Sequence, residues 1–323
     1  MIVDAHCDVL FELRLDDTGL SRGLVLREEL LERHWLPRLK AGGVGVQVCP
    51  LYGPCAPGPG AAERALAQEA ALRRAVEANA ERVCLARTSA DLADPRLRLV
   101  LSMEGVEPLE GDPAAFEAWY ERGVRSASLT WNHANAFAGG IATPTHGLTR
   151  AGRRLVERFG ELGVMLDLAH ASEQTWRDVI ETGVPFSVTH AACRAVHDHP
   201  RNLADWQLEA LAACHGVLGV MALAFVVDPD KPTLGRWVDH VDHAIANMGI
   251  EHVGLGADFV DQVPTADPDA VVAKRRLGLD GFTDPSEYPA VAAALRDRGY
   301  DGDKLDAILS GNWLRALGAA LPA

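Results

Sequence analysis

The sequence predicts a closed (β/α)8 barrel, and three features of its 323 residues point there. Eight short apolar runs of strand length recur along the chain, helix-like segments separate most of them, and the turn after the first run lacks glycine. The rival architecture is an open doubly wound sheet with a second domain. It would be favoured by a Gly-rich phosphate loop at that turn. The turn reads His6-Cys7-Asp8-Val9-Leu10, which removes the commonest nucleotide-binding arrangement.

The apolar runs are, in order, Ile2–Ala5, Val44–Cys49, Leu97–Met103, Arg125–Thr130, Val164–Ala169, Pro185–Thr189, Val217–Leu223 and Val253–Gly256. Most are rich in Val, Leu or Ile, and each has the length of a strand. Ala61–Ala80 is dense in Ala, Glu, Leu and Arg and reads as a helix, as do Thr149–Leu162, Ser172–Thr182, Leu203–Cys214 and Leu234–Met248. Ser172 followed by Glu173 makes a helix start, because the hydroxyl caps free amide groups and the carboxylate suits the positive helix end. Leu305–Leu317 reads as a closing helix broken by Gly311, and Pro54–Gly60 and Asp261–Asp269 read as loops. Neither loop resembles a linker, and the chain contains no internal repeat. One barrel domain over residues 1–323 is expected.

With 31 Lys+Arg against 45 Asp+Glu, the formal charge is −14, which argues against nucleic acid or an anionic membrane as partner. Hydrophobic residues make up 48% and charged residues 24%, a globular composition. No apolar run approaches the roughly 20 residues that cross a bilayer. The start, Met-Ile-Val-Asp-Ala-His, lacks the features of a signal peptide, so a cytoplasmic setting is expected. Cysteines 7, 49, 55, 84, 193 and 214 form no Cys-x-x-Cys pair and read as reduced thiols, with Cys7 facing away from its polar neighbours.

In a barrel, the carboxyl ends of the strands converge on one mouth. The first run delivers His6 and Asp8 there, the third Glu104, the fifth His170, the sixth His190 and the eighth Asp258. Strand side chains alternate, so His6 and Asp8 share a face and can reach one metal ion. Imidazole with carboxylate suits Zn2+ and similar ions. The set exceeds the needs of one ion and fits two, about 3.5–4 Å apart and bridged by a carboxylate. Taken singly, each residue is an ordinary core, rim or cap residue. Together they are costly to bury, at several kcal/mol per charge, unless something pairs them. The other histidines show no such convergence. His197 and His199 flank Asp198 in a surface turn, His240 and His243 sit on a polar helix face, and His34, His146, His215 and His252 have no partner pattern.

The same residues lie in strings that resemble the membrane dipeptidase (renal dipeptidase) family of zinc peptidases, in its bacterial form. The strings are Asp4-Ala-His-Cys-Asp8, Glu104-Gly105, Gly147-Leu-Thr-Arg-Ala-Gly152, Leu166-Asp-Leu-Ala-His-Ala-Ser172 and Phe186-Ser-Val-Thr-His190. Arg201-Asn-Leu-Ala-Asp205, His252-Val-Gly-Leu-Gly-Ala-Asp-Phe259 and Gly311-Asn-Trp-Leu-Arg315 complete them, in the family's order and over nearly the whole chain. The resemblance implies a barrel of the metal-dependent hydrolase type with two Zn2+ per chain. His6 and Asp8 match the ligands of one zinc, His170 and His190 those of the other, and Glu104 the carboxylate bridging both. Arg201 matches the arginine that holds the substrate's terminal carboxylate, and Asp258 matches the acid beside the metals. Asp258 is the candidate proton carrier, with Glu104 able to share the task.

One position departs from the mammalian pattern. Trp131 stands where those members place a substrate-contacting histidine after a Leu-Thr pair, and His133 lies two residues on. Trp131, Asn132 and His133 are the candidate substrate contacts, and Asn135 could add a polar one. The leading expectation is a zinc dipeptidase that cleaves small dipeptides, L-Xaa-D-Xaa among them, by a metal-bridged hydroxide. An amidohydrolase acting on N-acyl amino acids or lactams is the alternative, because a fold does not fix a substrate. A non-catalytic binding protein is the remote one. A homodimer is the expected assembly.

Overall fold

The computed structural model describes residues 1–12, 31–52, 60–259 and 277–323. The loop expected at Asp261–Asp269, most of the one at Pro54–Gly60, and Cys55 lie outside the described residues. The strands are β1 Ile2–Asp4, β2 Val44–Tyr52, β3 Val83–Leu85, β4 Leu97–Glu104, β5 Val124–Ser128, β6 Met165–Asp167, β7 Phe186–Ala191, β8 Leu218–Val220 and β9 Val253–Leu255. Every pairing between them is parallel. β2 pairs with both β1 and β4, and β9 pairs back onto β1, so eight strands close a ring. The barrel read from the sequence is thus the fold.

β3 stands outside that ring and pairs only with the foot of β4, Val83 opposite Leu97 and Leu85 opposite Leu99. Its three residues are too short a run to read as a strand from sequence. β4 is buried at seven of its eight positions, as expected of a parallel strand covered on both faces.

Two of the helices that flank the site's strands begin at a capping hydroxyl. Thr149 Oγ1 accepts from Gly152 N at 3.1 Å ahead of helix Arg150–Leu162, and Ser172 Oγ accepts from Thr175 N at 3.0 Å ahead of Glu173–Thr182. The closing helix differs from expectation. Gly311 has helical angles (φ −57°, ψ −43°) and ends a π-helical turn, Ala307–Gly311, that runs straight into Asn312–Ala320. The chain therefore stays helical through Gly311. Trp313 on this helix is fully buried against β9, and Gly254 makes that approach possible. A Cβ at Gly254 would lie 2.4 Å from the indole nitrogen.

His240 also departs from expectation. It is fully buried on helix Leu234–Met248, together with Trp237, Val241 and Ala244. Its polarity is absorbed locally. Nδ1 accepts from Cys193 N at 3.0 Å, and Nε2 donates to Val227 O at 2.9 Å. Cys49, Cys84, Cys193 and Cys214 are free thiols, and Cys7 is buried. Among the described residues, no helix is long and apolar enough to cross a membrane.

Candidate active site

Only Glu104 and His190 of the six expected residues lie on strands; the other four follow strand ends. β1 stops at Asp4, so His6 and Asp8 do not meet through the strand pleat. The chain turns through residues 5–8 into the short helix Val9–Glu12. His170 and Asp258 adopt left-handed backbone (φ 63° and 59°), which costs a non-glycine residue about 1–3 kcal/mol. Hydrogen bonds hold both turns. Asp167 Oδ1 accepts from Ala169 N (2.9 Å) and Thr189 N (3.0 Å) beside His170. Asp4 Oδ1 accepts from both His6 N (3.2 Å) and Ala257 N (3.1 Å), and Asp258 N donates to His6 O (3.1 Å). One carboxylate thus clips the start of the first metal-site turn to the last.

The side chains converge on Glu104. Its Oε1 lies 3.6 Å from His6 Nε2, 3.1 Å from His170 Nε2 and 3.4 Å from His190 Nε2. His6 Nε2 also lies 3.8 Å from Asp8 Oδ1 and 3.7 Å from Asp258 Oδ1. Two groups have donor atoms within 4.8 Å of one another: His6, Glu104 and His190, and His6, Asp8 and Asp258. Asp258 therefore stands as close to the centre as the expected ligands do.

The hydrogen-bond network fixes which nitrogens face inward. Thr189 Oγ1 donates to Asp167 Oδ2 at 2.5 Å, so it accepts from His190 Nδ1 at 2.9 Å. Asn132 Oδ1 is 2.7 Å from His170 Nδ1 and, being an oxygen, accepts its proton. Both Nε2 atoms then carry lone pairs, and they face each other at 2.9 Å. His6 Nε2 and Asp8 Oδ1 are buried with no hydrogen-bond partner. Lone pairs and carboxylates gathered without donors are the chemistry of a cation site, and the N/O set fits a divalent metal.

Burial drives the electrostatics. It pushes Asp8 and Glu104 well above the ordinary carboxylate range, each with a neighbouring carboxylate adding to the shift, and lifts Asp258 to about 6. It lowers His6 to about 3 and holds His170 and His190 well below the usual imidazole value. The Arg201 guanidinium opposes the carboxylate shifts at Glu104 and Asp258. A dication would reverse them at all three acids.

A cavity of ≈ 320 Å³ opens over the cluster, and Asp8, Glu104, Trp131, Asn132, His170, Arg201 and Asp258 line it. Trp131 stacks on the His170 ring at 5.6 Å. Arg201 is buried and donates from Nη2 to His190 O at 3.2 Å. His133 does not join them: it is exposed and is not among the residues lining the cavity. The backbone turns away at this point, where Asn132 O accepts from Ala142 N at 2.8 Å. Asn135 is spent on its own loop, donating to Glu107 Oε1 and Leu129 O and accepting from Phe137 N and Ala138 N. Two residues that hold the site, Asp167 and Thr189, escape a search for ligand chemistry, because they touch imidazole or backbone and not the centre.

Residues 1–321 match the family described as membrane dipeptidase, peptidase family M19. The chain belongs to the membrane dipeptidase family. It is 31% identical over 250 residues to Dipeptidase verJ of Clonostachys rogersoniana, a match covering 75% of this chain and 61% of that protein. The chain thus spans about three-fifths of that relative's own length. Among solved structures it is similar to dipeptidase AC, a metallopeptidase of family M19, with TM-score 0.87 and 28% identity over 100% of this chain and 99% of that one. It is also similar to a metallopeptidase from Rhodobacter sphaeroides liganded with a phosphinate mimic of the dipeptide L-Ala-D-Ala. That match has TM-score 0.84 and 27% identity, over 99% of each chain. The membrane dipeptidase family thus accounts for both the barrel and the convergence of candidate metal-binding side chains at its mouth.

Proposed function

We propose that this chain hydrolyses the peptide bond of small dipeptides, L-Xaa-D-Xaa among them, using two Zn2+ ions. The observation that carries the reading is the pair of inward lone pairs on His170 and His190 beside Glu104, with the orphaned His6 Nε2 and Asp8 Oδ1 next to them. His6 and Asp8 would hold one ion, His170 and His190 the other, and Glu104 would serve both; Asp258 stands close enough to join the first set. Bound metal supplies Lewis acidity and a water acidified towards neutral pH.

The remaining work falls to the protein. Arg201 offers a planar fork of donors to the substrate's terminal carboxylate and so orients the scissile bond. Trp131 walls the cavity beside His170, and Asn132 keeps that imidazole in the tautomer with Nε2 free. Asp258, 3.7 Å from His6 at the edge of the cluster, can accept a proton at its carboxylate and pass it to the leaving amine. The clamp favours substrates with a free carboxyl end, which a dipeptide offers one residue from the bond to be cut.

The test compares zinc-loaded protein on L-Ala-D-Ala, its carboxyl amide and N-acetyl-D-alanine. The dipeptide should be cleaved, and amidation should lower kcat/KM about 100-fold, since it removes the partner of a buried cation. Asp8→Asn should abolish turnover while the far-ultraviolet circular dichroism is unchanged. Faster cleavage of N-acetyl-D-alanine than of any dipeptide would overturn the proposal in favour of an N-acyl amidohydrolase.

A further inference from the structure

The cavity over the metal cluster has an apolar wall for which the hydrolytic chemistry has no use. Met221, Leu223 and Phe225 follow β8, and Leu277 follows β9 further along the chain; all four line the cavity. Phe225 and Leu277 are 39% and 38% exposed, although large apolar side chains elsewhere in the described residues are mostly buried. Single exposed apolar residues are ordinary, but two of them backed by the buried Met221 and Leu223 in one wall of a substrate cavity mark a contact surface.

The wall is also held in place. Ala224 N donates to Leu277 O at 2.6 Å, which fixes the two exposed segments side by side. Asn202 Nδ2 donates to Val226 O at 2.8 Å, and His240 Nε2 donates to Val227 O at 2.9 Å. The first of these bonds ties the wall to the segment that carries Arg201, and the second ties it to helix Leu234–Met248. His199 tightens the same junction: its ring meets Phe225 edge-on at 5.4 Å, and its Nδ1 accepts from Arg201 N at 3.2 Å. The apolar wall and the carboxylate clamp therefore form one preorganised unit.

We infer that this wall receives the side chain of the substrate's carboxyl-side residue and selects dipeptides with an apolar residue there. The inference rests on the proposed dipeptidase reading and on Arg201 as its clamp. A side chain that branches from the carbon bearing the clamped carboxylate has little reach, so it settles on a wall adjoining Arg201. Two walls adjoin it. On the other side lies a more polar cavity of ≈ 460 Å³ that shares His170 and Arg201, in which Glu173, Arg194, Asp198 and Gln207 stand among apolar residues such as Trp176 and Leu203. Three of its polar groups, Arg194, Glu173 and Gln207, are already engaged within the protein. Arg194 pairs with Glu173 at 3.0 Å and donates to Asn202 O, and Gln207 Oε1 accepts from Ala204 N. A polar substrate side chain entering there would have to compete with those bonds, whereas the Phe225 and Leu277 faces gain directly from being covered.

The experiment measures kcat/KM of the zinc-loaded enzyme on L-Ala-D-Xaa with Xaa as Ala, Leu, Phe, Asp and Lys, the matching L-Ala-L-Xaa series, and L-Leu-D-Ala. Leu and Phe on the carboxyl side should exceed Asp and Lys by about tenfold or more. Phe225→Ala should lower the D-Leu to D-Ala ratio by about tenfold and move the L-Leu-D-Ala to L-Ala-D-Ala ratio far less. Phe225 is partly exposed, and a thermal melt matching the wild type confirms that the variant is folded. A preference for Asp or Lys would overturn the inference and place the side chain in the polar cavity. Loss confined to L-Leu-D-Ala would assign the wall to the amino-side residue, which also overturns it. Dipeptides cleaved without preference would sink this inference alone; no dipeptide cleaved would sink the dipeptidase reading along with it.

Discussion

The hydroxyl of Thr189 stands between His190 and Asp167, and its two hydrogen bonds decide which imidazole nitrogen faces the centre. Thr189→Val keeps the side-chain shape but leaves both His190 Nδ1 and Asp167 Oδ2 without this partner. Metal affinity should then fall by about 10–100-fold, the usual effect of losing a residue that orients a ligand imidazole. Competition with a chelator of known affinity measures it, and an unchanged affinity would refute the role assigned to Thr189. The contrast with His190 shows how far the sequence could be read. His190, Glu104 and Asp258 were legible because imidazoles and carboxylates at strand ends have few reasons to gather. Thr189 and Asp167 sit in the same motif strings, yet a hydroxyl beside a buried acid carries no such signal. His133 was misplaced for a different reason: residue type suggested a contact, but the turn after Trp131 leads its side chain to solvent.

From the sequence, helix Leu234–Met248 has a polar face on which His240 and His243 sit three apart. The fold instead buries His240, where it braces the segments after β7 and β8 through Cys193 N and Val227 O. Neither partner is visible from the helix's own sequence, since each is a backbone group more than ten residues away. Burial lowers His240 from its ordinary value near 6.5 to about 4. As pH falls below about 6.5, the unfolded chain takes up this proton first, so stability is full above that pH and is lost on the way down towards 4. The term amounts to about 2 kcal/mol between pH 7.5 and 5. His240→Gln, which keeps a donor and an acceptor without titrating, should lose less stability than wild type over that interval, by about that amount. Parallel urea titrations at the two pH values measure the difference, and equal losses in both proteins would refute it. β3 and the helical passage through Gly311 were illegible for a related reason. A three-residue strand has no period to detect, and glycine's tolerance of many conformations does not reveal which one it takes.

The barrel concentrates what the chain as a whole disperses. Of the 45 acidic residues, Asp8, Glu104 and Asp258 are brought together at one mouth, where burial raises all three carboxyls. The ring of eight parallel strands forces this convergence, because every carboxyl end opens on the same side. Without a cation the fold bears the cost of desolvating these acids. Metal that binds the folded state and not the unfolded one offsets that cost by mass action, by about 4 kcal/mol at a free concentration a thousandfold above Kd. In a chain of this size each kcal/mol moves Tm by about 2 °C. Stripping the protein with a chelator should therefore lower Tm by about 8 °C at pH 7.5, and adding Zn2+ back should restore it. The gap should narrow as pH falls through about 6, because protons then compete with metal for Asp258 and its neighbours. Asp8→Asn should show a smaller gap at every pH, having lost one anionic ligand. Differential scanning calorimetry with and without chelator decides the matter. A Tm indifferent to chelator and to added Zn2+ would mean that the cluster is a buried polar network and not a metal centre.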